Sequence, residues 1–238
     1  MTKSIPKKLF QLLLVIIELS KVAEAQEVLK VASNIKQLKL GIEIDPKLAL
    51  VELKSVVPNI RYDLKYATKE NFTGIALYPR KTNTTYLRVD PAIALGHVAE
   101  ELKSKGLGIH VWDAFRPYHV TVKFWELIKD ERYVANPSKG SGHNRGIAID
   151  LTLYNLTSGQ QLDMPTGFDD FSEKAHHGFD ALSETKKLNR ELLKTIMEKN
   201  GFIIFPTEWW HYYWPHGEQY DVLDISFKRI SRFKKVNQ

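Results

Sequence analysis

The sequence predicts an α+β fold, an antiparallel-rich sheet flanked by helices, and three observations carry that prediction. Apolar runs of strand length, such as "LGIHVWDAFRP" (107–117) and "IAIDLTL" (147–153), are mixed irregularly with segments of helical period. The regular strand–helix alternation of a doubly wound parallel sheet is missing. The chain has 238 residues, 43% hydrophobic and 26% charged, which is enough for one sizeable core. It contains no cysteine, so a disulfide framework and a thiolate metal site are both excluded. Any metal must be held by His, Asp or Glu.

The chain opens with "MTKSIPKKLFQLLLVIIELSKVAEAQ", in which Lys3, Lys7 and Lys8 precede an apolar stretch over 9–19 and Ala23-Glu24-Ala25 follows it. This is the layout of a secretory signal, and the run is short for a transmembrane helix. Residues 1–25 are therefore expected to be a cleaved signal peptide, leaving a single domain over 26–238 exported to the periplasm without stable membrane insertion. Gln11 and Glu18 dilute the run, and the alternative is an amphipathic first helix of a cytoplasmic protein.

Residues 26–50 are mixed and end in "EIDPK". "LVELKSVVPNIRYDLKY" (50–66) alternates as a strand and turns at Pro58-Asn59. "YPRKTNTTYLRVD" is a loop feeding a short strand, and Asp90-Pro91 opens a helix over 91–105 that Gly106 and Gly108 end. The run 107–117 is a buried strand stopped by its proline. "YHVTVKFWELIKD" is a helix, and "NPSKGSG" turns into the strand that carries Asp150. After a polar loop, the clearest helix covers 183–200: Ser183 caps it, Leu188, Leu192, Leu193 and Ile196 form its apolar stripe, and Gly201 closes it. "GFIIFP", "TEWWHYYWP" and "YDVLDIS" supply the last strands.

The formal charge is +6 and the pI about 9.2. Of that charge, +2 belongs to residues 1–25 and +4 to the remainder. Apart from Lys186-Lys187 and the tail "KRISRFKK" the cations are scattered. They read as a solvated surface attracted weakly to an anionic wall or membrane, and no nucleic-acid partner is expected.

In "GSGHNRGIAIDLTL" (140–153) Asp150 sits on the strand face opposite Ile147, Ile149, Leu151 and Leu153. A buried acid needs a positive partner. His143, Asp150 and His211 are potential metal ligands, with Glu208 beside them in "EWWH". Hydrolytic zinc sites use three N/O ligands and an open position, and a nearby carboxylate that does not ligate can move protons. An i, i+3 pair such as Glu208 and His211 falls on opposite faces of a regular strand and meets only where the strand is broken. Each residue also has an ordinary reading alone: His143 on a loop surface, Asp150 paired with Arg145, Trp209-Trp210 as plain core.

Taken together, "SGHNRGIAIDLTL", "EWWHYY" and "WDAFRP" resemble the D-alanyl-D-alanine dipeptidase family, the VanX-like zinc peptidases. The match continues through "YDLKYATKENFTG", "MPTGFDDFSEKAHH" and "NRELLKTIMEKNGF". The resemblance covers most of residues 60–214, and the first 50 residues and the tail add little to it; it implies a zinc D,D-peptidase (hedgehog/DD-peptidase-like) fold for the single domain over 26–238. It also implies hydrolysis of the dipeptide D-Ala-D-Ala with one Zn2+ held by His143, Asp150 and His211. It makes Glu208 the general base and Arg116 the oxyanion-stabilising cation, with Asp113 orienting Arg116's segment or capping a turn. Tyr66 and Asp169 are matched to the residues that read the substrate ammonium, with Tyr62 and Asp170 as neighbouring alternatives, and Ser141 to a substrate-binding serine. His176 and His177 fall outside the ligand pattern. The connection between Arg116 and His143 is shorter than the family's long insertion. That keeps open a zinc D,D- or L,D-carboxypeptidase acting on longer peptidoglycan stem peptides, and, further off, a non-catalytic wall-binding module.

Overall fold

The Asp150 strand lies at the middle of the main sheet. The computed structural model describes residues 29–236, so the expected signal peptide over 1–25 lies outside the described residues. In chain order the first elements are β1 (Val31–Ala32), α1 (Ile35–Ile44), β2 (Leu50–Glu52), β3 (Arg61–Tyr62) and β4 (Tyr86–Arg88). Then come α2 (Val89–Ser104), β5 (Leu107–Asp113), α3 (Tyr118–Leu127), α4 (Gly142–Arg145) and β6 (Ala148–Asn155). The last are α5 (Glu184–Lys199), β7 (Ile203–Phe205), β8 (Glu208–Tyr213), β9 (Val222–Leu223) and α6 (Phe227–Val236).

Five strands make one sheet in the order β3–β5–β6–β8–β7, antiparallel throughout except for the parallel β3–β5 pair. The fold is α+β with an antiparallel-rich sheet, as the sequence predicts. Two further pairs, β1–β9 and β2–β4, tie the chain's ends and the β2 segment to the body. β6 is buried on both faces. Ile149, Leu151 and Leu153 share a core cluster with Leu95, Val98 and Leu102 of α2 and Leu193, Ile196 and Met197 of α5. A second cluster joins α1, α3 and α6 through Leu38, Val120, Phe124, Phe227 and Ile230.

Three local expectations shift. α5 is capped by Ser183, whose Oγ accepts from the Lys186 N–H, but Leu188 is 60% exposed. The inward face runs through Leu193, Ile196 and Met197 and includes Arg190, buried because its guanidinium donates to the His176 and Phe179 carbonyls. β5 ends at Asp113, four residues before Pro117, after a register shift against β6. Its backbone leaves the ladder because the Phe115 N–H donates to Thr85 Oγ1 and the Arg116 N–H to the His143 carbonyl. Gly106 does end α2, with φ +73°, but Gly108 lies inside β5.

Gly108 serves close packing. A Cβ there would stand 2.5 Å from the Tyr154 ring, which is stacked under the Arg61 guanidinium and tied by its hydroxyl to the Asn59 carbonyl. The ring has no room to swing away. Gly108→Ala is expected to destabilise the protein by about 1–3 kcal/mol, read as a lower urea midpoint at unchanged slope.

Candidate metal centre and substrate cleft

His143 is placed by a single turn of helix where only a turn was expected. The Ser141 Oγ accepts from the His143 N–H at 3.2 Å, and the Asn144 Oδ1 accepts from the Ser141 N–H at 3.0 Å. This reciprocal cap starts α4, and Gly146 at φ +71° closes it. The Asn144 amide then donates to the Arg116 carbonyl at 2.8 Å and to Thr121 Oγ1 at 2.9 Å. The His143 turn and the Arg116 segment are thus held to each other, and both to α3.

Arg88 supports the same turn from behind. It is 1% exposed; its Nε donates to the Arg145 carbonyl at 2.8 Å and its backbone N–H to the Gly146 carbonyl at 2.8 Å. The guanidinium also donates to the Leu48 and Asp221 carbonyls. Sequence reading passed over both Arg88 and Asn144. The S-x-x-N spacing of a reciprocal cap was a usable signal for Asn144; Arg88 had none, since its partners are distant main-chain oxygens.

Asp150 and His211 become neighbours through strand pairing, since β6 and β8 are in register at this pair. His211 Nδ1 lies 2.8 Å from Asp150 Oδ1, and His143 Nε2 lies 3.4 Å from Asp150 Oδ2 and 3.3 Å from His211 Nδ1. One donor atom from each of the three lies within 4.8 Å of the others, and His143 and Asp150 are buried. His143 Nδ1–H donates to the Ala114 carbonyl at 2.7 Å. That bond sets the tautomer and leaves the Nε2 lone pair facing the cluster, the usual arrangement of a ligating imidazole. Two imidazole nitrogens and one carboxylate oxygen are the donor set of a three-ligand divalent metal site. Arg145 is not the partner of Asp150, because its guanidinium donates to the Tyr220 and Lys139 carbonyls.

Glu208 reaches the same side as His211 because β8 bulges. Between the pairs Ile204↔Tyr212 and Phe205↔Glu208, β7 advances by one residue and β8 by four. The extra residues let the i, i+3 pair meet, and Glu208 Oε2 lies 3.8 Å from His211 Nδ1. The intervening Trp209 and Trp210 are buried, and Trp209 Nε1 donates to Thr166 Oγ1 at 2.9 Å.

Burial and the Asp150 charge push the Glu208 carboxyl up to about 7. Burial would push Asp150 up as well, but the His143 and His211 imidazoles outweigh it and hold its carboxyl well below the usual range. His211 moves the opposite way: burial would lower it, and Asp150 raises it further than burial lowers it.

Arg116 is held by Asp113. The fully buried Asp113 carboxylate accepts from Arg116 Nε at 2.9 Å and from the Tyr78 hydroxyl at 2.6 Å, and lies 2.8 Å from the second guanidinium nitrogen. The guanidinium passes over the Phe124 and Tyr66 rings at 4.7 and 5.1 Å and stands 4.0 Å from Asp150 Oδ2. Beside it, the Tyr66 hydroxyl donates to Asp169 Oδ1 at 3.1 Å across 103 positions of sequence. Asp169 has φ +57°, a strained backbone for a residue other than glycine, of the kind found at functional sites. Burial, then Asp150, raise its carboxyl well above the usual range.

The neighbouring alternatives point elsewhere. Asp170 accepts from the Ser172 N–H, and the Tyr62 hydroxyl donates to Glu52. His177 is buried outside the cluster, with its backbone N–H on the Pro206 carbonyl.

The eight residues that the resemblance assigns to metal, catalysis or substrate line one cleft of about 490 Å³: Tyr66, Arg116, Ser141, His143, Asp150, Asp169, Glu208 and His211. Ser141 lies on its wall with its Oγ accepting in the cap, so its hydroxyl proton is free to donate into the cleft. The outer wall, which the sequence did not single out, is aromatic: Phe72, Phe171 and Tyr133 continue from Phe124 with ring centroids 4.8–5.4 Å apart.

Residues 46–230 match a family model described as D-ala-D-ala dipeptidase. The chain is 35% identical over 178 residues to the D-alanyl-D-alanine dipeptidase of Escherichia coli K12, covering 75% of this chain and 91% of that protein. It is similar to the Enterococcus faecium protein of the same name at 35% identity, covering 67% of this chain and 88% of that one. A Streptomyces coelicolor protein of that name is 32% identical over 186 residues, covering 69% and 92%.

Proposed function

The chain belongs to the D-Ala-D-Ala dipeptidase family, and from that premise we propose that it hydrolyses D-alanyl-D-alanine to two D-alanines, with one zinc ion held by His143, Asp150 and His211. The observation that carries this reading is the pairing, in one cleft, of a three-donor His-Asp-His cluster with the half-buried carboxyl of Asp169, which accepts from the Tyr66 hydroxyl. A zinc ion held by these three side chains would supply Lewis acidity and lower the pKa of water.

The chain's own groups do the rest. Glu208, outside the three donors but 3.8 Å from His211, takes the proton of the attacking water and gives it to the amide nitrogen as the C–N bond breaks. Arg116, locked by Asp113, presents a fixed cation to the carbonyl oxygen as it gains charge. Asp169 and Tyr66 take the substrate's ammonium, and the Ser141 hydroxyl donates a hydrogen bond to the substrate.

Because Arg116 contributes most as charge develops, Arg116→Ala is expected to lower kcat by about 10²–10³-fold while KM changes less. The reverse pattern in steady-state kinetics would make Arg116 a ground-state binding residue.

A zinc D,D- or L,D-carboxypeptidase is the second reading, favoured by the short 117–142 connection and by the aromatic extension of the cleft. A stem pentapeptide carries no ammonium next to its terminal bond, so the half-buried Asp169 would face an uncharged group. Supplying purified enzyme with D-Ala-D-Ala, its N-acetyl derivative and a pentapeptide separates the two. Release of D-alanine from the free dipeptide alone is expected, and preferred release from the pentapeptide would overturn the dipeptidase assignment. A non-catalytic wall-binding role would require loss of Glu208 or of a ligand, and all are present.

The proposal includes one catalytic domain over 26–238, released into the periplasm by removal of residues 1–25. An intact Met1 on protein recovered from its host would count against that export.

A further inference from the structure

Most of the chain's excess positive charge sits in its last helix. The α6 sequence FKRISRFKKV carries Lys228, Arg229, Arg232, Lys234 and Lys235 and no acid, in a protein of net +6. The orientation of α6 is fixed by its apolar side. Phe227 and Ile230 are buried, and the Phe227 ring lies 5.0 Å from Tyr78 and 5.8 Å from Phe115. Lys228, Arg229 and Arg232 are left exposed, and among the described residues none of them pairs with a carboxylate.

α1 packs against α6, and its inner residues Ile35, Leu38 and Ile42 join the cluster that holds Phe227 and Ile230. Its other side is unusual for a solvated helix. Leu40 and Ile44, one turn apart, are 50% and 86% exposed, with Lys36 one turn before them. Two adjoining helices therefore offer water a set of unpaired cations and a pair of bare aliphatic side chains.

We propose that α1 and α6 form the face with which the protein lies on an anionic phospholipid surface, α6 supplying charge and Leu40 and Ile44 entering the headgroup boundary. Interfacial binding combines buried apolar area with attraction to anionic lipid, and this face has both. A soluble polyanion would use the cations but has nothing to give Leu40 and Ile44. Among the described residues no helix is long and apolar enough to cross a membrane, so the contact is peripheral. It does not depend on the catalytic reading.

The test is sedimentation of the full chain with vesicles of phosphatidylglycerol and phosphatidylcholine, against phosphatidylcholine alone. Each cation near such a surface strengthens binding about five-fold. The triple variant Lys228→Glu, Arg229→Glu, Arg232→Glu is therefore expected to bind the anionic vesicles at least about 100-fold more weakly, while hydrolysing D-Ala-D-Ala in solution at the parent's rate. Leu40→Ser with Ile44→Ser is expected to remove the binding that persists at high salt. Equal binding by parent and triple variant would overturn the proposal, as would equal binding to both vesicle types. So would retention of heparin or DNA without vesicle binding. Loss of hydrolysis in the parent would count against the catalytic proposal and leave the vesicle result standing.

Discussion

Glu208→Gln is expected to lower kcat for D-Ala-D-Ala by about 10³–10⁴-fold and to leave the zinc content of the protein unchanged. Glu208 is not one of the three converging donors, yet its carboxylate lies 3.8 Å from His211 Nδ1, on the same wall of the cleft. The glutamine amide has nearly the same shape and cannot accept a proton, so the change removes proton transfer without emptying the site. Trp209 and Trp210, buried within the bulge with ring centroids 5.5 Å apart, keep the segment in place in the variant. Metal analysis beside steady-state kinetics checks both halves of the expectation. A variant that turns over near the parent's rate would take Glu208 out of the mechanism, and one that loses zinc would make it a ligand.

Asp150→Ala is expected to abolish turnover and zinc retention together. Asp150 is 3% exposed and lies between two imidazoles that hold its carboxyl well below the usual range. It is the one anionic donor among the three. Losing only a hydrogen-bonding partner of a metal ligand weakens metal affinity about 10–100-fold, and losing a ligand itself costs more. Chelation of the parent should also stop hydrolysis, and added zinc should restore it. In Asp150→Ala added zinc should not. Restored hydrolysis in the variant would show that His143 and His211 suffice, and the proposed ligand set would fall.

Much of the fold was legible because it rests on local chemistry. The cap at Ser183 and the stop at Gly201 mark α5, and the alternation of 147–153 marks β6. The sequence is silent where a residue's surroundings are supplied from far along the chain. Leu188 has a helical spacing that fits the stripe, but the sheet lies against the face of Leu193, Ile196 and Met197. Gly108 has the look of a helix stop until Tyr154 is seen against it. Pro117 marks a strand end in the sequence, whereas hydrogen bonds to Thr85 and His143 draw the chain out of the sheet at Asp113.

The sequence by itself determined which chemistries were open to this protein. Without cysteine only nitrogen and oxygen donors remain, and a carboxylate in an apolar strand requires a positive partner. It also contained the turn that offers His143, since Ser141, Asn144 and Gly146 cap a helical turn through bonds within a few residues. Only the tertiary structure decided how these groups meet. The β6–β8 register sets Asp150 beside His211, the β8 bulge turns Glu208 to their side, and Tyr66 meets Asp169 in the lining of the cleft. The reason is that strand register and burial depend on every segment packed against a residue, and those partners are spread over the whole chain.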